Sequence, residues 1–315
     1  MYRANFFEVQ RFYRRNKINI LMYHRFSEKP EPFKLNGADF EKQLNFLRKK
    51  FNPIHLSTYA TALVGKTDLP PNSVILTIDD GYLDNYEIAY PLLKKYGVPA
   101  TIFLATDFVD QHEWLWPLKL LYILQNTAKK QFNLVLDGRN RRFDVETFQA
   151  WHGTQLAIFN YLRIMEHKEK NQFLIDLASE LAVDVPEKTC GDFLPMTWAQ
   201  IREMHRNGVE FGSHTCTHPI LSRQDGAAIH YETAASKKLI ENRLQAPVDS
   251  FCYPNGQPED YNGQVIDAVK KAGYRCAVTT VSGSNNATNS RPYELMRKGL
   301  GRTSEYEIYR DLLKT

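Results

Sequence analysis

The stretch SVILTIDDG, residues 73–81, runs through β-branched and apolar residues into two adjacent aspartates and a glycine. A strand with one wet face alternates in polarity. VILTI does not, so it fits a sheet covered on both faces. Such sheets are parallel and clothed by helices, which requires strand and helix to alternate along the chain. The flanking sequence does this. INILMYH (18–24) is strand-like, and GADFEKQLNFLRKKF (37–51) puts Phe40, Leu44 and Leu47 on one helical face. YLDNYEIAYPLLKKYG (82–97) reads as a helix ended by Gly97, with a kink or break at Pro91. ATIFLATDFV (100–109) reads as the next strand.

From about 111 to 190 the pattern turns charged and helical, with WLWPLKLLYIL and NQFLIDLASELAV its clearest pieces. Alternation then resumes: helix TWAQIREMHRNG, strand VEFGSHT, helix 225–244, strand SFCYP, helix 259–272, strand YRCAVTT. Residues 1–315 are therefore read as one α/β barrel domain carrying a helical insertion at about 111–190. In barrels chemistry gathers at the C-terminal strand ends. There this chain places His24, Asp79, Asp80, His214 and the Tyr253–Asn255 segment.

Composition bounds the function. The 315 residues are 43% hydrophobic and 24% charged, ordinary for a globular protein. A formal charge of +4 is too small to argue for nucleic acid as a partner, and no nucleic-acid-binding signature is present. The four cysteines form no CxxC pair and read as free thiols of a reducing compartment. No apolar run is long enough to span a bilayer. MYRANFFEVQRFYRRNKINI lacks the apolar core of a secretory signal, so a cytoplasmic location is expected, with the inner membrane face as a further option. Phe6, Val9 and Tyr13 recur at helical spacing among Arg3, Arg11, Arg14 and Arg15. That pattern fits either a first helix packed on its own domain or peripheral contact with an anionic membrane.

GSHTCTH (212–218) holds two histidines four apart. In an extended strand their rings would lie ~13 Å apart, at about 3.3 Å per residue. Metal–nitrogen bonds are about 2 Å, so the segment must turn if both bind one ion. Gly212 can loosen the strand end and Pro219 disfavours helical geometry at His218. No glutamate lies between the histidines, so a third ligand and a base must come from elsewhere. Asp79 and Asp80 supply two carboxylates at one strand end. One can hold a metal while the other acts as a general base. An Asp-Gly turn accounts for Asp80-Gly81 alone.

With these motifs in order, the chain resembles the polysaccharide deacetylases, carbohydrate esterase family 4, which carry the NodB homology domain. TIDDGY resembles the first motif of that family, HTCTH the second, and FCYPNG (251–256) the third. LMYHRF, LLKKYGVPATIFL, MTWAQIREMHRNGVEFGSHTCTHPILS and AGYRCAVTT also match, and the likeness is to the exopolysaccharide-associated branch. It implies a distorted (β/α)7 barrel and removal of acetyl groups from an N-acetylated oligo- or polysaccharide. The cytoplasmic expectation would favour a lipid-linked or nucleotide-linked precursor over finished polymer. It implies a divalent metal, usually Zn2+, held by Asp80, His214 and His218, with Asp79 as catalytic base. Tyr253, Pro254 and Asn255 would line the substrate and oxyanion site.

Two departures stand out. The third-motif arginine that orients the base is replaced by Cys252, and Arg297 in ELMRKGLGR is the candidate substitute, beside the reading of an ordinary surface arginine. The late leucine–x–histidine acid is absent, and the branch resemblance implies His24 in its place. A core-edge structural histidine is the other reading of His24. Substrate alternatives are an O-acetyl ester or a non-sugar amide, and a silent glycan-binding barrel is the alternative of another class. Cys216 reads as a turn filler, with a soft metal ligand as the other reading, and Trp114 and Trp116 as packing anchors that could otherwise stack on sugars.

Overall fold

A computed structural model describes residues 11–65, 67–286, 290–300 and 305–313. Seven parallel strands close into a barrel: β1 (Lys17–Tyr23), β2 (Ser73–Ile78), β3 (Ala100–Leu104), β4 (Glu210–Ser213), β5 (Ser250–Cys252), β6 (Cys276–Ser282) and β7 (Leu295–Gly299). Each strand pairs with the next, and β1 closes the ring by pairing with both β2 and β7. A register shift between β6 and β7 makes the closure uneven. This is the (β/α)7 barrel that the family resemblance implies.

Alternation along the strands sorts side chains into two cores. Ile18, Ile20, Ile75, Phe103, Cys252, Cys276, Val278 and Leu295 pack together within the ring. Leu21, Tyr23, Leu76, Ile78, Ile102, Leu104 and Phe251 face the helical layer, meeting Phe40, Leu44 and Leu47. Phe103 fills the barrel beside Gly212, where an added Cβ would come 2.5 Å from its ring. Full burial of such a side chain contributes about 1.5–3 kcal/mol, so Gly212→Ala would disturb a well-filled centre.

Three segments differ from the sequence reading. The strand expected over 100–109 ends at Leu104, and Thr106–Gln111 is a helix. The N–H groups of Thr106 and Asp107 bond to the carbonyls of Thr215 and Cys216 (both 3.0 Å), which takes the chain out of the ladder. The segment over 82–97 is a π-helical turn, Asn85–Ala89, running into an α-helix, Tyr90–Tyr96. Pro91 sits in the first turn of that second helix, where it has no N–H to continue the ladder out of the π-helical turn. The insertion is not wholly helical. Helices Trp116–Asn126, Phe148–Arg163 and His167–Glu180 flank an antiparallel hairpin, Gln131–Leu136 with Arg139–Asp144. Trp116, Leu120, Phe132, Ile158, Leu162 and Leu174 give this region its own apolar cluster, which Ile220 joins from the barrel.

Arg3, Phe6 and Val9 of the basic aromatic segment lie outside the described residues. Among the described residues no helix is long and apolar enough to cross a membrane.

Candidate active site

His24, Asp79 and His214 each stand one residue beyond β1, β2 and β4, and Cys252 ends β5. Arg297 lies within β7. All converge at one mouth of the barrel, the C-terminal one. Asp79 continues the inward series Ile75–Thr77, so strand alternation alone aims it into the barrel. The same rule would turn Asp80 outward. Instead Asp80 takes a left-handed φ of 77° and Gly81 follows at 94°. A Cβ on Gly81 would come 2.8 Å from Leu104, so the turn tolerates only glycine.

Asp79 is buried and held by Arg297. Nη1 and Nη2 of the arginine each donate to one carboxylate oxygen at 2.7 Å. The other N–H groups are also used: Nε donates to Thr279 O (2.7 Å), Nη1 to Thr77 Oγ1 (3.0 Å) and Nη2 to Cys252 Sγ (3.2 Å). All five guanidinium donors are thus satisfied, and Arg297 is no surface residue. Burial opposes the Asp79 charge, but Arg297, then His24 and His214, outweigh it and hold the carboxyl well below the usual carboxylate range. Burial pushes the Cys252 thiol far up, so it stays neutral, donating towards Asp79 Oδ2 at 3.6 Å. A small thiol at the third motif leaves space for Arg297, which reaches it from β7, two strands further round the ring.

His24 Nε2 lies 3.6 Å from Asp79 Oδ2, with the side chain 45% exposed. Its main-chain carbonyl accepts from the buried Asn85 Nδ2 at 2.8 Å. One edge of the ring therefore meets the carboxylate while the rest faces a cavity of about 770 Å³.

Asp80, His214 and His218 form a second, adjoining group. His214 Nδ1 lies 2.8 Å from Cys252 O. A carbonyl only accepts, so Nδ1 carries the proton and Nε2 keeps its lone pair. That Nε2 is 3.4 Å from Asp80 Oδ1, and His218 Nε2 is 3.7 Å from the same oxygen. Asp80 Oδ1 is buried and makes no hydrogen bond. Burial lowers both imidazoles, His218 to about 3 with His214 adding to the effect, so both are neutral bases at pH 7. Bonds of about 2.0–2.2 Å at a tetrahedral ion place neighbouring ligand atoms roughly 3.3–3.5 Å apart. The three atoms fit a small divalent cation. Asp79, His214 and Cys252 also lie close enough to form a donor set. There the carboxylate is already engaged by Arg297 and the thiol is neutral, so the Asp80 group is the better metal centre.

The turn between the histidines is strained. Thr215 has φ 69° and His218 φ 57°, and a β-branched residue in that region is a clear outlier. Side chains hold it in place. Thr215 Oγ1 accepts from His218 N (3.0 Å), and Ser213 Oγ accepts from Thr215 N (3.2 Å). The buried Glu232 accepts from Cys216 N (2.7 Å), Thr217 N (3.0 Å) and Thr217 Oγ1 (2.6 Å). Sequence reasoning missed Glu232: it sits mid-helix in Gly226–Leu244 with nothing in its spacing to mark it. Glu232→Ala should orphan two N–H groups at about 1–3 kcal/mol each and weaken cation retention 10–100-fold. Thermal unfolding and chelator competition would check this, and unchanged cation affinity would remove Glu232 from any role in shaping the site.

The third-motif segment is only partly placed as expected. Tyr253 is a core residue: its N–H donates to Val278 O (3.2 Å), its hydroxyl to Tyr293 O (3.0 Å), and its ring stacks on Tyr261. Neither donor is available to a substrate. Pro254 has no N–H to offer. Asn255 follows with a left-handed φ of 59°, and its Nδ2 has no hydrogen-bond partner among the described residues. Of the three, Asn255 is the residue with a donor to spare. Trp114 donates to Pro186 O and packs on Tyr122 and Phe193, and Trp116 is buried, so both are packing residues. Cys216 is buried within the turn.

A seven-stranded parallel barrel with paired aspartates, two histidines and a buried arginine at its C-terminal mouth defines a class of hydrolase fold. Residues 66–277 match the family model described as polysaccharide deacetylase, and the chain belongs to that family. His24 and Arg297 lie outside the matched span. A Bacillus subtilis relative bearing the same family description is 24% identical over 269 residues, covering 85% of this chain and 66% of its own length. The poly-β-1,6-N-acetyl-D-glucosamine N-deacetylase of Escherichia coli is 22% identical over 254 residues, covering 78% and 31%. The chain thus spans less than two thirds of either curated relative. A Streptococcus pyogenes deacetylase solved in complex with acetate superposes with a TM-score of 0.63 at 20% identity, over 95% of this chain and 99% of that one. That likeness shows the shared fold.

Proposed function

We propose that this chain is a zinc-dependent N-deacetylase of an N-acetylated glycan, with poly-N-acetylglucosamine the favoured substrate class. The observation that carries the reading is the unpaired, buried Asp80 Oδ1 facing two neutral imidazoles beside an arginine-anchored Asp79. The names of the curated relatives support the substrate class.

Asp80, His214 and His218 would hold the cation, which when bound supplies Lewis-acid polarisation of the acetamide and acidifies water. Asp79, ionised throughout the neutral range and fixed by Arg297, accepts the proton of the attacking water. The water oxygen adds to the acetyl carbon, and Asn255, whose Nδ2 is the donor to spare, donates to the oxygen that gains charge. His24, on the strand next to that of Asp79 and open to the cavity, gives its proton to the amine as the C–N bond breaks. Acetate and the free amino sugar leave.

Incubation with β-1,6-linked N-acetylglucosamine oligomers should release acetate, cease on chelation and recover with added zinc. His218→Ala should lose both the cation and the activity, because the remaining carboxylate and single imidazole bind poorly. Acetate release that continues under chelation, with His218→Ala still active, would defeat the proposal.

His24 is tested by leaving-group chemistry. An amine departs poorly unless protonated, whereas an activated phenol departs as its anion. His24→Ala should lower acetamide turnover about 10²–10⁴-fold with cation content intact, and hydrolysis of aryl acetates far less. Equal losses on both substrates would return His24 to a structural role.

A further inference from the structure

The cavity beside His24 is lined by Met22, Lys34 and Gly299 and also by two phenylalanines from different layers of the fold. Phe33 comes from the loop after β1, and Phe148 opens the inserted helix Phe148–Arg163. Both rings are largely in solvent, Phe33 51% exposed and Phe148 60%. They stand 6.1 Å apart between centroids, and His152 and Trp151 lie behind them, 5.5 and 5.6 Å from Phe33.

Folding explains these rings only in part. Their contacts with Trp151 and His152 tie the loop to the insertion, yet each ring leaves more than half of its surface in water, where it adds nothing to stability. Phe33 also holds a left-handed φ of 61°, a conformation that glycine or asparagine would adopt at lower cost. A pyranose presents an apolar C–H face and a polar rim, and so matches an exposed aromatic ring beside the Lys34–Glu31 ion pair that lines the same cavity. The cavity, at about 770 Å³, falls within the roughly 300–1,000 Å³ typical of small-molecule sites. It is continuous with His24, whose ring reaches Asp79.

We infer that Phe33 and Phe148 form a sugar-stacking subsite that binds the glycan residues next to the acetylated sugar being processed. The inference rests on the proposed deacetylase reading for the direction of the chain, not for the subsite itself. The insertion thereby contributes to substrate choice: the enzyme should prefer oligomers over monomers because only a longer chain reaches from Asp79 to these rings.

The test has two readouts on the intact chain with β-1,6-linked N-acetylglucosamine monomer and tetramer. One is kcat/KM for acetate release, and the other is the dissociation constant under chelation, where no turnover is expected. Phe148→Ala and Phe33→Gly should each weaken tetramer binding about tenfold and leave monomer binding unmoved. Phe33→Gly relieves the backbone, so its unfolding temperature should not fall. Phe148→Trp should restore the tetramer preference. Tetramer affinity equal to wild type in both truncations, no gain from monomer to tetramer in the wild type, or the same loss in Phe148→Trp would overturn the subsite. Tight tetramer binding without acetate release would instead sink the deacetylase reading and leave the subsite standing.

Discussion

Asp79→Asn is expected to lower acetate release by about 10²–10⁴ while keeping the bound cation, and Asp80→Asn to lose the cation itself. The difference follows from what each carboxylate touches. Both oxygens of Asp79 accept from Arg297, so this residue is available as a fixed proton acceptor and not as a ligand. An amide there keeps the shape but cannot take the proton of water. Asp80 presents a bare oxygen to two imidazole nitrogens, and an amide in its place offers a weaker, neutral donor. Elemental analysis beside kinetics separates them; a stripped Asp79→Asn with a loaded Asp80→Asn would reverse the roles. Stability carries a pH signature too. The folded Asp79 carboxyl lies below its unfolded value of about 3.9, so its contribution is present above that pH and fades as the medium is acidified further. The stability deficit of Asp79→Asn should therefore shrink below about pH 4.

Much of the site was legible because it follows strand periodicity. Asp79 and His24 fall on inward positions at strand ends, and a turn at 214–218 is demanded by geometry, as the left-handed Thr215 and His218 bear out. Arg297 could be named because the expected arginine position holds Cys252, yet only the closed ring shows that β7 brings it to Asp79. Glu232 was invisible, since its helix gives no hint that one glutamate folds back under a loop. The extended strand over 100–109 was a misreading of a different kind: Thr106 and Asp107 leave the ladder for partners more than a hundred residues away. The hairpin at 131–144 did leave a signal. Asp137-Gly138, at φ 52° and 70°, is a two-residue turn between alternating strands, hidden by the charged helices on either side.

Arg297→Met should cost about 3–5 kcal/mol and most of the activity, because it leaves a buried carboxylate without its partner. The size of the loss is less telling than its dependence on pH. Burial is the largest influence on Asp79, and Arg297 is the main one opposing it. Without the arginine, in chelated protein, burial should carry the folded carboxyl above its unfolded value. The sign of the linkage then inverts. A raised carboxyl destabilises the fold increasingly as pH climbs past the unfolded value, so Arg297→Met should melt higher at pH 4 than at pH 7, opposite to the contribution of Asp79 in the wild type. The base would also be protonated over more of the working range, moving the acid limb of the rate profile upward. Arg297→Lys keeps one positive charge but not the fork that satisfies two oxygens, and should fall between the two. Adding Asp79→Asn to Arg297→Met removes the unpaired charge and should recover part of the lost stability, a coupling expected only for groups in contact. A pH-melting curve for Arg297→Met that runs parallel to wild type, with no recovery in the double variant, would mean that something other than Arg297 neutralises Asp79.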